Sequence, residues 1–136
     1  MIKRVAVALI LPMVLSACSG GSDSDQDDAT NASVVMAALP GEDSYRKCVA
    51  CHTIDKGGRN SIGPNLHAIV GRAVGGADGF AYSAAMKAKG GIWDEAALDA
   101  YLENPRKAVV GTRMSFSGIS NADERKALIE YLKAQK

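Results

Sequence analysis

Five consecutive residues, Cys48-Val49-Ala50-Cys51-His52, constrain this chain more than any other stretch. Two cysteines three positions apart, followed directly by a histidine, are the spacing that attaches a c-type haem. The thiols add to the vinyl groups along one edge of the macrocycle, and the histidine reaches the iron from that side. A thioredoxin-like redox pair or half of a zinc site shares the C-x-x-C spacing. The chain shows no βαβ pattern and offers only His67 as a further zinc ligand, so the motif favours one covalent haem.

The N-terminal segment has the pattern of an export signal. Two basic residues precede an apolar run from Val5 to Leu15, which is shorter than the roughly 20 residues that a membrane-spanning helix needs. The run ends in Leu15-Ser16-Ala17-Cys18, which resembles the lipobox of bacterial lipoproteins, whose cysteine is lipidated and becomes the mature N-terminus. Ordinary cleavage after Ala17, leaving Cys18 as a free thiol, is the alternative. The pattern favours residues 1–17 as a lipoprotein signal peptide and Cys18 as a lipid anchor.

Residues 18–40 are predicted to form a tether between this anchor and a folded domain. The stretch from Ser19 to Ser33 is polar, small and without periodicity, and it carries four aspartates. Such a composition is typical of a flexible linker, with an r.m.s. span of roughly 20 Å. The count of three cysteines agrees, because two would bind haem and one the lipid.

Residues 41–136 are then predicted to form a single domain. The whole chain has 16 basic and 15 acidic side chains, and the linker aspartates and Lys3 and Arg4 lie outside the domain. The domain is therefore only mildly basic, with an excess of about three positive charges, which does not indicate nucleic-acid binding. We expect a monomer.

The apolar periodicity predicts short helices separated by glycine-rich loops. Helices are expected over residues 41–51 and 82–89, from an N-cap at Asp94 to Asn104, and after a capping box of Asn121 and Glu124. Residues 108–118 show no helical period and are expected to form a loop. Since no stretch alternates like a strand, we predict an all-α domain.

A second axial ligand cannot be chosen from residue chemistry alone. A c-type haem iron with histidine on one side takes a second histidine or a methionine, or keeps an open position. The candidates are Met36, Met86, Met114 and His67. Met114 lies in a loop far along the chain from Cys51 and is only modestly favoured.

The segment Tyr101–Met114, with the sequence YLENPRKAVVGTRM, resembles the methionine loop of class I cytochromes c, the small soluble mitochondrial and bacterial type. The sequence GPNLH at residues 63–67 and the closing LIEYL at 128–132 are also similar to that family. The similarity runs over essentially residues 41–132. It implies a class I cytochrome c fold, with about four to five short helices and glycine-rich loops around one covalent haem.

The resemblance also implies roles for individual residues. Cys48 and Cys51 would carry the thioethers, and His52 and Met114 would be the axial iron ligands. The further residues expected around the haem are a carbonyl that accepts from His52, three side chains near the propionates and two near Met114: Pro64, Arg72, Tyr82, Trp93, Tyr101 and Thr112.

Two positions depart from the family pattern. Val110 stands where proline is usual, so the methionine loop loses a rigid φ. Met86 stands where many members carry asparagine near the methionine ligand. The first departure is the sequence feature that favours a labile Met114.

A His/Met-ligated haem with no open position predicts a single-electron carrier in a periplasmic respiratory or photosynthetic chain, and not an enzyme. Its expected partners are proteins with acidic docking patches: quinol:cytochrome c reductase, a terminal oxidase or a periplasmic dehydrogenase. A lipid on Cys18 would hold it on the periplasmic side of the inner or outer membrane. Two alternatives stay open. One is a haem peroxidase or gas-ligand sensor with a labile methionine, and the other is a dedicated electron acceptor of one periplasmic dehydrogenase.

Overall fold

Five short helices carry the fold of residues 40–136, the part of the chain that the structure, a computed structural model, describes. They are α1 (Glu42–Tyr45), α2 (Ala84–Lys89), α3 (Glu95–Glu103), α4 (Pro105–Ala108) and α5 (Ala122–Ala134). Within these residues the only sheet-type pairing is an isolated antiparallel bridge, and no helix is long and apolar enough to cross a bilayer. The predicted all-α fold is confirmed. The predictions for the signal peptide, Cys18 and the tether before Pro40 lie outside the described residues.

The two longest helices begin at the residues that the sequence indicates. The Asp94 carboxylate accepts a hydrogen bond from the Ala97 amide at 2.7 Å, which opens α3. The Asn121 side chain accepts from the Glu124 amide at 2.9 Å, which opens α5. Each cap satisfies one of the amides that a helix leaves without a partner at its start. Only half of the predicted capping box forms, because the Glu124 carboxylate accepts from Ser44 and Lys47 instead.

The first helix is shorter than the predicted span of residues 41–51. After Tyr45 the amides of Lys47, Cys48 and Cys51 bond to the carbonyl three residues back, at 3.2, 2.7 and 3.0 Å. These bonds make tight turns and not an α-helical ladder. The C-x-x-C-H segment therefore lies in turns that follow α1.

Helix α4 was not predicted. Asn104 ends α3 and its side chain accepts from the Lys107 amide at 3.0 Å, which starts a new helix at once. Pro105 occupies the first turn, where a missing amide hydrogen costs nothing. The Asn-Pro pair thus ends one helix and begins another.

The core forms where α1 and α3 both pack on α5. Leu128 of α5 is fully buried. Gly41 has a φ of +90°, and a Cβ built there would lie 2.1 Å from the Ala127 carbonyl oxygen. Only glycine permits this approach of the α1 N-terminus to the α5 backbone. The contact fixes the position of the C-x-x-C-H turns, which begin within a few residues of Gly41.

The buried side chain of Arg125 joins α5 to α3 and to the loop before α5. Its Nε donates to Asp99 Oδ1 at 2.7 Å, and one terminal nitrogen donates to the Ile119 carbonyl at 2.9 Å. The other terminal nitrogen donates to Asp99 Oδ2 at 3.2 Å. A guanidinium that binds a carboxylate through two nitrogens fixes orientation as well as distance. These bonds fix how α5 packs against α3 and against the loop before α5.

Candidate haem site

A cavity of about 570 Å³ lies against the core, within the range of pockets that hold cofactors. Its wall is mostly apolar. Every site residue predicted within the described chain lines it except Arg72. The residues that it brings together come from three regions far apart in sequence: Cys48, Cys51, His52 and Pro64; Tyr82 and Trp93; and Tyr101, Thr112 and Met114.

The His52 ring is held from two sides. Its Nδ1 lies 2.7 Å from the Pro64 carbonyl oxygen, which has no hydrogen to give, so Nδ1 is the protonated nitrogen. A Cβ at Gly63 would lie 2.3 Å from the ring Cε1, so the Gly63 backbone packs directly on the imidazole. Burial lowers the pKa of His52, which favours the neutral ring. The arrangement leaves Nε2 as a basic nitrogen that can bind a metal.

The Cys48 thiol does not have the electrostatic setting of a redox or metal thiolate. Burial raises its pKa to about 11, and the neighbouring Cys51 adds to the shift. Reactive cysteines have depressed pKa values instead. Both thiols are free, partly buried and part of the cavity wall. This setting fits attachment to a bound group better than thiol–disulfide exchange.

On the methionine side, a short hydrogen-bonded chain fixes the loop. The Tyr101 hydroxyl lies 2.9 Å from Thr112 Oγ1, and the same oxygen accepts from the Met114 amide at 3.2 Å. Tyr101 and Thr112 were expected to form one network close to Met114. In the structure this network reaches Met114 through its backbone amide, which donates to Thr112 Oγ1.

The three residues expected near the propionates take different positions. Trp93 is buried in the wall with its ring centroid 5.0 Å from that of Tyr101, and Tyr82 also lines the cavity. Arg72 lies behind the wall and donates to the Asn65 and His67 carbonyls at 2.8 and 3.3 Å. Its Nε is buried and makes no hydrogen bond to any described residue. This donor fits an anionic group of a cofactor, because buried polar atoms are normally paired.

Of the other ligand candidates, only Met86 lies in the wall. It is buried in α2, whereas His67 is not part of the lining and Met36 lies outside the described residues. Phe80 and Arg113 line the cavity and were not predicted as site residues. The Phe80 and Tyr82 rings stack edge-on with centroids 4.8 Å apart. The two residues are two positions apart in the chain, a spacing that gives no pattern from which a site could be predicted.

These features together fit a c-type haem. The cavity is largely apolar, two free thiols and an oriented imidazole lie at one part of its wall, and a loop thioether lies at another. Behind the wall, the buried Nε of Arg72 has no partner among the described residues, and an anionic group is the kind of partner that would satisfy it. Fold and site therefore define a helical haem-binding domain of the covalent type.

The chain belongs to the cytochrome c family, whose sequence profile matches residues 38–136. It is 47% identical over 87 residues to cytochrome c of Gibberella zeae, a match that covers 64% of this chain and 82% of that protein. It is 48% identical over 93 residues to a cytochrome c homolog of Bradyrhizobium diazoefficiens, covering 68% of this chain but only 50% of the relative. The structure of cytochrome cH from Methylobacterium extorquens is similar, with 44% identity, a TM-score of 0.66 and coverage of 71% of this chain and 97% of the other.

Family membership confirms three predictions. The fold is the class I cytochrome c fold, the cofactor is one covalently bound haem c with its iron, and the protein is an electron carrier and not an enzyme. The haem supplies an iron that cycles between two oxidation states differing by one electron. The chain's own residues supply a largely apolar cavity, an oriented imidazole and a methionine loop held by hydrogen bonds.

Proposed function

We propose that this protein is a monohaem cytochrome c whose iron is held by His52 and Met114, with thioethers on Cys48 and Cys51. The observation that carries the assignment is the shared cavity, which brings the His52 ring and the Met114 loop together from positions far apart in sequence. The 2.7 Å contact between His52 Nδ1 and the Pro64 carbonyl supports it, because it presents Nε2 as the metal-binding nitrogen.

The other proposed roles follow from the same wall. Arg72, Tyr82 and Trp93 would hold the propionate side, on the strength of the unpaired Arg72 Nε and the two aromatic rings in the lining. Tyr101 and Thr112 would fix the Met114 loop through the hydrogen bonds described above. With both His52 and Met114 bound, the iron would keep no position for a substrate. This supports a role in electron transfer and not in the making or breaking of covalent bonds.

An optical spectrum of the holoprotein tests the ligand set. We expect low-spin bands in both oxidation states, a weak far-red sulfur-to-iron band when oxidised, and no change when carbon monoxide is added to the reduced protein. Met114→Ala should lose the far-red band and bind carbon monoxide. Met86→Ala is the matched control, since it removes the other thioether in the wall and should keep the band. Loss of the far-red band in Met86→Ala, with the band kept in Met114→Ala, would refute the assignment.

Ready carbon monoxide binding by the unmodified protein would instead favour the alternative, a gas sensor or peroxidase with a labile methionine. The structure gives that alternative one supporting observation. Val110, which stands where proline is usual, is 84% exposed, and its amide makes no hydrogen bond within the described residues. The methionine loop is therefore weakly restrained at this position.

We further propose that the carrier works on the periplasmic side of a bacterial membrane, anchored by a lipid on Cys18. The lipobox-like Leu15-Ser16-Ala17-Cys18 and the polar linker after it support this. A free-swinging domain on a tether would meet its partners at high local concentration. Detergent phase partitioning and mass spectrometry of the mature N-terminus test the anchor: the protein should enter the detergent phase and carry acyl mass on Cys18, and a mature protein with a free Cys18 thiol would refute it.

Partners are proposed to be redox proteins with acidic patches. Basic residues flank the site, and two of them, Lys47 and Arg113, lie in the cavity wall itself. Steering between opposite charges raises association rates and weakens with salt. Second-order electron-transfer rates with a membrane reductase or oxidase should fall as ionic strength rises, and a rate that is constant with salt would contradict this docking mode. If only a periplasmic dehydrogenase exchanges electrons with the protein, the alternative of a dedicated electron acceptor is favoured instead.

A further inference from the structure

Trp93 forms part of the cavity wall on the side where the propionates are proposed to lie, and its backbone is bonded in both directions. Its amide donates to the Arg72 carbonyl at 2.8 Å, and its carbonyl accepts from the Gly71 amide at 2.8 Å. Its ring centroid lies 5.0 Å from that of Tyr101, and the residue is only 5% exposed. The indole is therefore packed in the core, apart from a small area that reaches the surface.

A cation lies over this ring. The Lys89 Nζ is 5.8 Å from the centroid of the Trp93 ring, a distance at which an ammonium is attracted to an aromatic face, and tryptophan is the ring that attracts cations most strongly. Lys89 itself is exposed, and within residues 40–136 its side chain makes neither a hydrogen bond nor a salt bridge. The contact with the indole is thus the interaction that this ammonium makes in the described part of the chain.

The turn between Lys89 and Trp93 produces the contact. Gly90 and Gly91 have φ values of +62° and +79°, and a Cβ at either would meet nothing within 4 Å, so the backbone conformation and not a lack of space requires glycine there. The turn ends α2 and reverses the chain, and the Gly91 carbonyl then accepts from the Val74 amide at 2.9 Å. The last residue of α2 is thereby brought over a ring four positions further along the chain.

The acidic residue next to the ring does not compete for the ammonium. Asp94 follows Trp93 directly, but its carboxylate accepts from the Ala97 amide at 2.7 Å and caps α3. Lys87, two positions before Lys89 in α2, is equally exposed but does not lie over an aromatic ring. Lys87 therefore provides a matched control of the same charge on the same helix.

We propose that Lys89 is a positioning residue, whose ammonium over the indole holds Trp93 in the cavity wall and so fixes the shape of the propionate side of the haem site. The inference rests on the proposed placement of Trp93 beside the propionates. A surface lysine can act in this way because its ammonium stays hydrated while it is attracted to the negative face of the ring. Its positive charge also favours the reduced iron, which carries less positive charge.

Hydrogen exchange of the indole N–H in the reduced holoprotein tests the restraint. Trp93 is the single tryptophan of the chain, so the indole gives one NMR signal. Loss of one exposed cation–π contact should speed this exchange in Lys89→Gln by about twofold to fivefold. Lys89→Arg should exchange no faster than the unmodified protein, because a guanidinium also stacks on an indole. Lys87→Gln should leave the rate unchanged.

The reduction potential gives a readout that a merely structural role would not move. The equilibrium constant for reduction by a soluble mediator should fall about twofold in Lys89→Gln, return in Lys89→Arg, and change less in Lys87→Gln.

Three results would contradict these expectations. Equal indole exchange in Lys89→Gln and the unmodified protein would overturn the proposal. An equal fall of the equilibrium constant in Lys89→Gln and Lys87→Gln would show a general charge effect and overturn it as well. Fast indole exchange in the unmodified protein itself would instead refute the placement of Trp93 beside the propionates, because an indole N–H bonded to a propionate is protected from water.

Discussion

The packing of α1 against α5 predicts how much stability a glycine-to-alanine substitution costs at that contact, and a second glycine provides the comparison. Gly41 and Gly57 both have positive φ, at +90° and +71°. A Cβ at Gly41 would lie 2.1 Å from the Ala127 oxygen and 2.4 Å from its carbonyl carbon, whereas a Cβ at Gly57 meets nothing within 4 Å. Alanine at either site takes on the left-handed backbone cost, about 1–2 kcal/mol. Only Gly41→Ala adds a collision with backbone.

The collision sets the difference between the two variants. Normal carbon–oxygen contacts are well above 3 Å, so the α5 backbone or α1 has to move by roughly 1 Å. Overpacking of this kind costs about 1–3 kcal/mol. We expect Gly41→Ala to lose roughly 2–5 kcal/mol and Gly57→Ala about 1–2 kcal/mol. For a domain of this size the larger loss lowers Tm by roughly 8–40 °C.

Guanidinium titration of the oxidised holoproteins measures both values. The single tryptophan, Trp93, is buried and reports the loss of the core, and far-ultraviolet circular dichroism reports the helices. Equal free energies of unfolding for Gly41→Ala and Gly57→Ala, within about 0.5 kcal/mol, would refute the argument that close backbone approach at the crossing requires glycine.

Further variants test the loop and the two axial sides. Val110→Pro should stabilise the oxidised protein by about 0.4–1 kcal/mol in guanidinium titration, since the Val110 amide donates no hydrogen bond within the described chain and the preceding backbone is extended; destabilisation would contradict this. Gly63→Ala should displace the His52 ring and yield a mixed-spin optical spectrum, because its Cβ would lie 2.3 Å from Cε1, and an unchanged spectrum would count against the packing argument. Tyr101→Phe should lose about 1–2 kcal/mol by leaving the Thr112 hydroxyl without its partner at 2.9 Å, whereas an unaltered stability would assign that bond no net value.

Sequence reasoning reached the parts of the fold that depend on local chemistry. The caps at Asp94 and Asn121 were predictable because their side chains bond to amides three residues on. The C-x-x-C-H motif was informative because its spacing has few chemical uses. The choice of Met114 needed the resemblance to a family, since chain position alone does not show which sulfur reaches the cavity.

The remainder depends on contacts between distant residues. The helix after Gly41 ends at Tyr45 and not at Cys51, because the following amides turn back to carbonyls three residues away. Helix α4 was missed although Asn104-Pro105 is a good helix start, because the same pair also predicts the end of the preceding helix. The hydrogen bond that the Arg113 guanidinium donates to the Ala81 carbonyl spans 32 residues and has no local signature.

The proton NMR spectrum of the reduced holoprotein tests the central assignment most directly. The ring current of the macrocycle shifts a methyl group held above its face far upfield, which marks the liganding methionine. We predict one such methionine methyl signal, absent from Met114→Ala and retained in Met86→Ala. A spectrum without the signal, or one that loses it in Met86→Ala and keeps it in Met114→Ala, would contradict ligation by His52 and Met114.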